Sequence, residues 1–148
     1  MKLSNHNAVA LLVDLNQDIE EYAEATVKNI IEDKNYDSLI YPPNSGFTDT
    51  EKAELAKLGN NEHLKNALRK LIADNTAGVI FNMFNLMDGT GGPKYYHKEW
   101  TGVKLIDEEE ETKAEPFNDT LHDAFYEAYW EWRKIRGDRG WKLDTYEE

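Results

Sequence analysis

Apolar residues recur every three or four positions along the first 33 residues, and charged residues fill most positions between them. This spacing predicts an amphipathic helix that ends near Asp33. Residues 8–13 alone fit either the start of that helix or a short buried strand, because periodicity does not separate the two at this length. The apolar side of the helix is formed by Val9, Leu12, Leu15, Ile19, Tyr22, Val27, Ile30 and Ile31.

The middle of the chain predicts a loop, a short helix and a long helix. Proline, glycine and asparagine concentrate in residues 34–48, which is typical of a loop. Thr48 and Glu51 have the spacing of a capping box, and the helix that they begin should stop before Gly59. Asn60 or Asn61 caps the next helix, whose apolar residues become nearly continuous towards residue 87. We therefore expect the second half of this helix at the centre of the fold.

The C-terminal third predicts a short β-ribbon followed by one more helix. Three glycines and a proline in residues 88–93 end the central helix. The apolar residues within 94–106 predict the ribbon, and the acidic run 107–111 is typical of a solvated loop. Residues 118–120 fit a helix cap. The helix that follows has an apolar side formed by Phe117, Leu121, Ala124, Phe125, Ala128, Tyr129, Trp132 and Ile135.

These elements predict a mostly α fold with a minor β part: a single globular domain over residues 1–148, built as a bundle of four to five helices with a short β-ribbon around 94–106. A chain of 148 residues buries roughly 70% of its unfolded surface, so it needs no cross-links. The absence of cysteine excludes disulfides and thiolate metal sites, and it suits the reducing cytoplasm. We predict no signal peptide, and no apolar run reaches the roughly 20 residues that span a bilayer.

The net charge of the chain limits the kinds of molecule that it is expected to bind. The chain has 29 acidic and 17 basic residues, a formal charge of −12, which argues against direct binding of nucleic acid or of an anionic membrane. The excess is uneven, because residues 49–93 carry only −1 while residues 1–48 carry −5 and residues 94–148 carry −6. Such negative regions favour a basic protein partner.

The last helix contains the most informative pattern. Acidic residues recur there in steps of four, each step rising about 6 Å, and aromatic residues follow the adjoining stripe. Aromatic side chains flanked by charge are typical of the centres of protein interfaces. The alternative is a helix buried on two sides, by the core and by either the ribbon or the tail containing Trp141. The predicted partner-binding residues are Asp119, Asp123, Tyr126, Glu127, Trp130 and Glu131.

The sequence contains few motifs that are typical of catalytic, metal-binding or phosphate-binding sites. The sequence contains no GxSxG elbow, no HExxH pair and no phosphate-binding glycine motif, so we predict no catalytic residue, metal or cofactor. Asp119 and His122 have the spacing of half a di-metal carboxylate motif. The pair His122 and Asp123 resembles the paired ligands of HD-type phosphohydrolases. This resemblance implies an alternative function, an all-α metal-dependent hydrolase that uses these two residues.

The small, acidic and cysteine-free profile is similar in composition to bacterial immunity or inhibitor proteins that neutralise cationic nuclease toxins. Our leading hypothesis is therefore a cytoplasmic protein-binding domain that neutralises a basic partner such as a toxin. A variant is a DNA-mimic inhibitor, in which carboxylates at steps of about 6 Å stand in for phosphates. The sequence leaves the oligomeric state and the identity of the partner open.

Overall fold

The computed structural model describes residues 3–43, 46–95, 100–108, 114–138 and 143, and these residues are mostly helical. They form α1 (Asn5–Val27), α2 (Asp49–Ala56), α3 (Glu62–Asp88) and α4 (Leu121–Arg136), and a π-helical segment (Lys28–Glu32) continues α1. The predicted mostly α class is confirmed. Residues 8–13 are helical, so the strand alternative for them was wrong.

The β-ribbon predicted at 94–106 is not confirmed. Residues 94–95 and 100–106 form no strand, although Ile106 takes part in an isolated β-bridge, and residues 96–99 lie outside the described part of the chain. Three apolar residues of this stretch, Trp100, Val103 and Ile106, are exposed. A second isolated bridge joins Ser4 to Pro116 in antiparallel orientation, next to a hydrogen bond from Phe117 N to Leu3 O.

The chain divides into two compact units, residues 1–19 with 75–140 and residues 20–74 with 141–148. In the first unit, Phe84 and Phe125 are fully buried with ring centroids 5.7 Å apart, and Leu12 and Leu121 are buried as well. The second unit buries smaller side chains, among them Ala23, Val27, Ile31 and Ala73. The aromatic core therefore belongs to the unit that contains α4.

Among the described residues, the second half of α3 is buried on one side only, whereas its sequence predicts burial nearly all round. Phe81 and Phe84 face α4, where their rings contact Tyr126 and Phe125. Val79, by contrast, is 64% exposed, and Met83 is exposed as well. The described residues around this helix cover only one side of it. Its nearly continuous apolar sequence therefore leaves some apolar side chains exposed on the other side.

Local signals mark several helix ends correctly. Thr48 Oγ1 accepts a hydrogen bond from Glu51 N, and the Glu51 carboxylate accepts one from Thr48 N at 2.7 Å, so the predicted capping box is confirmed. That bond from the Thr48 backbone lowers the pKa of Glu51. The Asn61 side chain caps α3 by accepting from Leu64 N. Gly89 follows α3 with a φ of +74°, a conformation that favours glycine.

The first half of α3 contributes two buried cations to the second unit, Lys65 and Arg69. Lys65 Nζ donates to Glu32 Oε1 at 2.7 Å and also pairs with Glu62. Arg69 Nη2 donates to Glu24 Oε1 at 3.0 Å. Burial of a charged group is costly unless it is paired, so these carboxylates are required partners of the two cations.

We expect the Glu32–Lys65 pair to make stability depend on pH at both ends of the scale. The hydrogen bond with Lys65 lowers the pKa of Glu32, and the same bond raises the pKa of Lys65. The contribution of Glu32 is complete above roughly pH 4.3 and is lost as pH falls through its lowered pKa. The contribution of Lys65 is complete below roughly pH 10.4 and is lost as pH rises through its raised pKa.

Lys65→Met should therefore flatten the pH profile of the free energy of unfolding at both ends, as measured by urea denaturation. The control is Lys104→Met, which removes an exposed lysine and should leave the profile unchanged. Identical profiles for Lys65→Met and the wild type would contradict this assignment.

Candidate protein-binding surface

The structure places all six predicted partner-binding residues at exposed positions on α4 or directly before it. Tyr126 is 53% exposed and Trp130 is 54% exposed. Four residues of helix separate these two side chains by a rise of about 6 Å, on one side of α4. We refer to the set Asp119, Asp123, Tyr126, Glu127, Trp130 and Glu131 as the α4 face.

The opposite side of α4 is anchored in the first unit, and this sets the direction of the α4 face. Residues spaced by three or four positions form the buried side, as in an amphipathic helix. Asn16 Nδ2 of α1 donates to the backbone oxygen of Phe125 at 3.1 Å and so fixes the helix from the same side. The buried side chains are Leu121, Phe125, Ala128 and Trp132.

One residue that was predicted on the buried side lies outside it. Ile135 is exposed, whereas Arg136, one position later, is buried. The Arg136 guanidinium lies over the Tyr129 ring, 5.8 Å from its centroid, so the ring gives this cation a favourable neighbour. Trp141, which the two-sided alternative placed against α4, lies outside the described residues.

Negative charge lies towards the N-terminal end of α4 and positive charge towards its C-terminal end. Asp123 Oδ2 accepts a hydrogen bond from Thr120 Oγ1 at 2.8 Å, and Glu131 pairs with Lys134 at 2.5 Å. The Glu127 carboxylate makes no hydrogen bond or ion pair with any described residue. Arg133, Lys134 and Arg136 lie in the last turn, as the helix dipole favours.

The two exposed aromatic side chains of the α4 face are supported from below. The Tyr126 ring lies 5.4 Å from the Phe81 ring and 5.4 Å from the Phe125 ring. The Trp130 ring lies 5.4 Å from the Tyr129 ring in an edge-on arrangement. Each ring is therefore packed against a neighbour while about half of its residue stays exposed, and this packing limits the conformational entropy that it would lose on binding.

The N-terminus of α4 is held by Asp88, which sequence reasoning did not select. The side chain of Thr120, the N-cap residue, accepts no capping bond. Asp88 Oδ2 instead accepts from His122 N at 3.0 Å and from His122 Nδ1 at 2.7 Å. One feature of the sequence could have pointed to Asp88. It lies at the C-terminal end of α3, where a negative charge interacts unfavourably with the helix dipole and therefore suggests a partner elsewhere.

His122 and Asp123 are the residues of the metal-dependent alternative. His122 Nδ1 is occupied by Asp88, and His122 Nε2 lies 3.6 Å from Asp123 Oδ1, which is too long for a hydrogen bond. Among the described residues, no group of three or more histidine, aspartate and glutamate side chains is placed to hold a metal ion. Among the described residues, the metal-dependent alternative therefore has the two candidate ligands His122 and Asp123, and no third ligand is placed beside them.

No protein-family model, curated protein or solved structure matches the chain. In the part of the chain that the structure describes, no helix is long and apolar enough to cross a bilayer. The geometry of the α4 face is therefore the main support for a function.

Proposed function

We propose that this chain is a cytoplasmic protein-binding domain that docks a basic protein partner through the α4 face, as inhibitor or immunity-type proteins do. The observation that carries the proposal is the half-exposure of Tyr126 and Trp130 beside the acidic side chains Asp123, Glu127 and Glu131. Aromatic side chains at the centre of an interface supply affinity, and the surrounding charges supply specificity and a faster encounter.

The two aromatic side chains are large enough to anchor a complex. A half-exposed tyrosine or tryptophan leaves about 100 Å² of its surface in water, and covering that area contributes about 2.5 kcal/mol. Two such anchors contribute about 5 kcal/mol before the costs of association. The acidic side chains attract a cationic surface from a distance, so association should slow as salt is added.

The DNA-mimic variant uses the same carboxylates but assigns no role to the rings. Carboxylates can replace phosphates in a nucleic-acid-binding groove without any aromatic anchor beside them. Alanine substitutions at Tyr126 and Trp130 therefore distinguish the two versions. Loss of affinity on these substitutions supports docking through the rings, and unchanged affinity favours mimicry.

The proposal predicts that Asp123→Lys with Glu127→Lys weakens partner binding at least about tenfold, because like charges would then face the basic surface. The partner is captured from a lysate of the source cell, identified by mass spectrometry and purified. Its dissociation constant is then measured by calorimetry, with circular dichroism to verify that the variant stays folded.

The matched control is Asp14→Lys with Asp18→Lys, which reverses two exposed acids one helical turn apart on α1. It changes the net charge by the same amount as the variant of the α4 face. A loss of affinity that is equal in the two double variants would show a general charge effect and would overturn docking at α4.

A further inference from the structure

One carboxylate of the α4 face lacks a partner in the described chain, and it lies beside an exposed indole. The Glu127 carboxylate makes no hydrogen bond or ion pair with any described residue. Trp130 follows three positions later, so the two side chains are neighbours on the helix surface. Asp123 lies one turn before Glu127, which adds a second acid to the same stripe. Together they form an anionic group next to a half-exposed aromatic ring.

Two aromatic rings of α4, one of them Trp130 of the α4 face, already contact cations of the chain itself. The Arg133 guanidinium lies 5.6 Å from the centroid of the Trp130 ring, and the Arg136 guanidinium lies 5.8 Å from that of Tyr129. Lys134, which lies between these arginines, pairs with the Glu131 carboxylate at 2.5 Å. On this helix, arginine therefore contacts rings, and the described contact of the lysine is with a carboxylate.

We propose that the occupant of the α4 face is an arginine-rich segment of the basic partner rather than any cationic surface. This inference rests on the proposed function and specifies its partner. A guanidinium from the segment stacks on the exposed part of the Tyr126 ring, or replaces the Arg133 guanidinium over the Trp130 ring, and donates hydrogen bonds to Glu127 or Asp123.

Physical chemistry separates arginine from lysine at such a surface. The guanidinium is planar and weakly hydrated, so it stacks on an aromatic ring while its N–H groups still reach a carboxylate. The lysine ammonium is compact and strongly hydrated, and it acts here as a point charge. The two residues bring the same charge, but the guanidinium also pairs with carboxylates through two N–H groups. Only the part of an arginine preference that is lost when both rings are replaced therefore reports contact with the rings.

The experiment compares an oligoarginine peptide with an oligolysine peptide of equal length, titrated by calorimetry into the full chain. We expect the arginine peptide to bind about tenfold more tightly. Trp130→Leu with Tyr126→Leu should remove this preference and leave a weaker, salt-sensitive binding of both peptides. Trp100→Leu changes an exposed tryptophan outside the α4 face, so it should keep the preference.

The outcomes separate this inference from the proposed function. Equal affinity of the wild type for the two peptides overturns the arginine preference and leaves docking of a basic partner intact. A preference that survives the loss of both rings also overturns it. Failure of the proposed function would be seen differently: Asp123→Lys with Glu127→Lys would then affect neither peptide binding nor partner binding.

Discussion

Phe84→Ala is expected to lower the free energy of unfolding by about 4 kcal/mol, because it removes a fully buried ring and leaves a cavity. The ring packs against Phe125 of α4, and the next residue, Tyr126, belongs to the α4 face. For a chain of this size, such a loss lowers the melting temperature by about 10 °C. Chemical denaturation followed by circular dichroism measures the free energy of unfolding, and thermal denaturation measures the melting temperature.

Val79→Ala is the control, because it truncates an apolar side chain on the same helix at an exposed position. Its effect should stay within about 0.5 kcal/mol, as for other surface substitutions. A large loss on Val79→Ala would contradict the structure, since it would mean that the exposed side of α3 is covered in solution. A small loss on Phe84→Ala would contradict the proposed aromatic core.

The sequence predicts the helices well where the signals are local. The capping box of Thr48 and Glu51, the Asn61 cap and the stop at Gly89 each depend on residues within a few positions of one another. Hydrophobic periodicity likewise predicts the buried side of α4 and the exposure of its acids. These features can be found in a single sequence because helical geometry alone relates the residues involved.

Long-range contacts could not be predicted in the same way. The acidic run 107–111 is typical of a solvated loop, and residues 109–111 lie outside the described part of the chain. The Asp107 carboxylate, however, accepts hydrogen bonds from Ser4 N and Asn7 Nδ2 at the start of α1. The bond from Asn7 lowers the pKa of Asp107. A hundred residues separate Asp107 from Asn7, so only the tertiary fold brings them together.

On α3 the difference runs the other way: the sequence predicts burial, and the structure shows exposed side chains among the described residues. Apolar residues nearly all round a helix are typical of a central element, but composition does not show how many neighbours surround it. Phe84 is buried because α4 packs on it, whereas Val79 faces solvent in the described chain. Packing is a property of several segments together, so the pattern within one segment does not determine it.

Asp88→Ala is the second substitution for which we expect a large loss of stability, and this loss directly affects the α4 face. The Asp88 side chain is only 2% exposed, and its carboxylate accepts from both the backbone nitrogen and the ring of His122. The substitution removes a cap from α4 and leaves the mostly buried His122 imidazole without this partner. We expect a loss of about 3 kcal/mol in the free energy of unfolding.

The position of this loss can be tested by amide hydrogen exchange. Asp88 holds the first turn of α4, so its removal should reduce protection at the start of α4, including His122, more than in α2. Asp123 belongs to that turn, and partner binding should therefore weaken along with protection. Asp119→Ala removes an exposed acid just before the same helix and should cost far less stability. Equal losses for Asp88→Ala and Asp119→Ala would show that the acidic character of this region, rather than the buried cap from α3, stabilises α4.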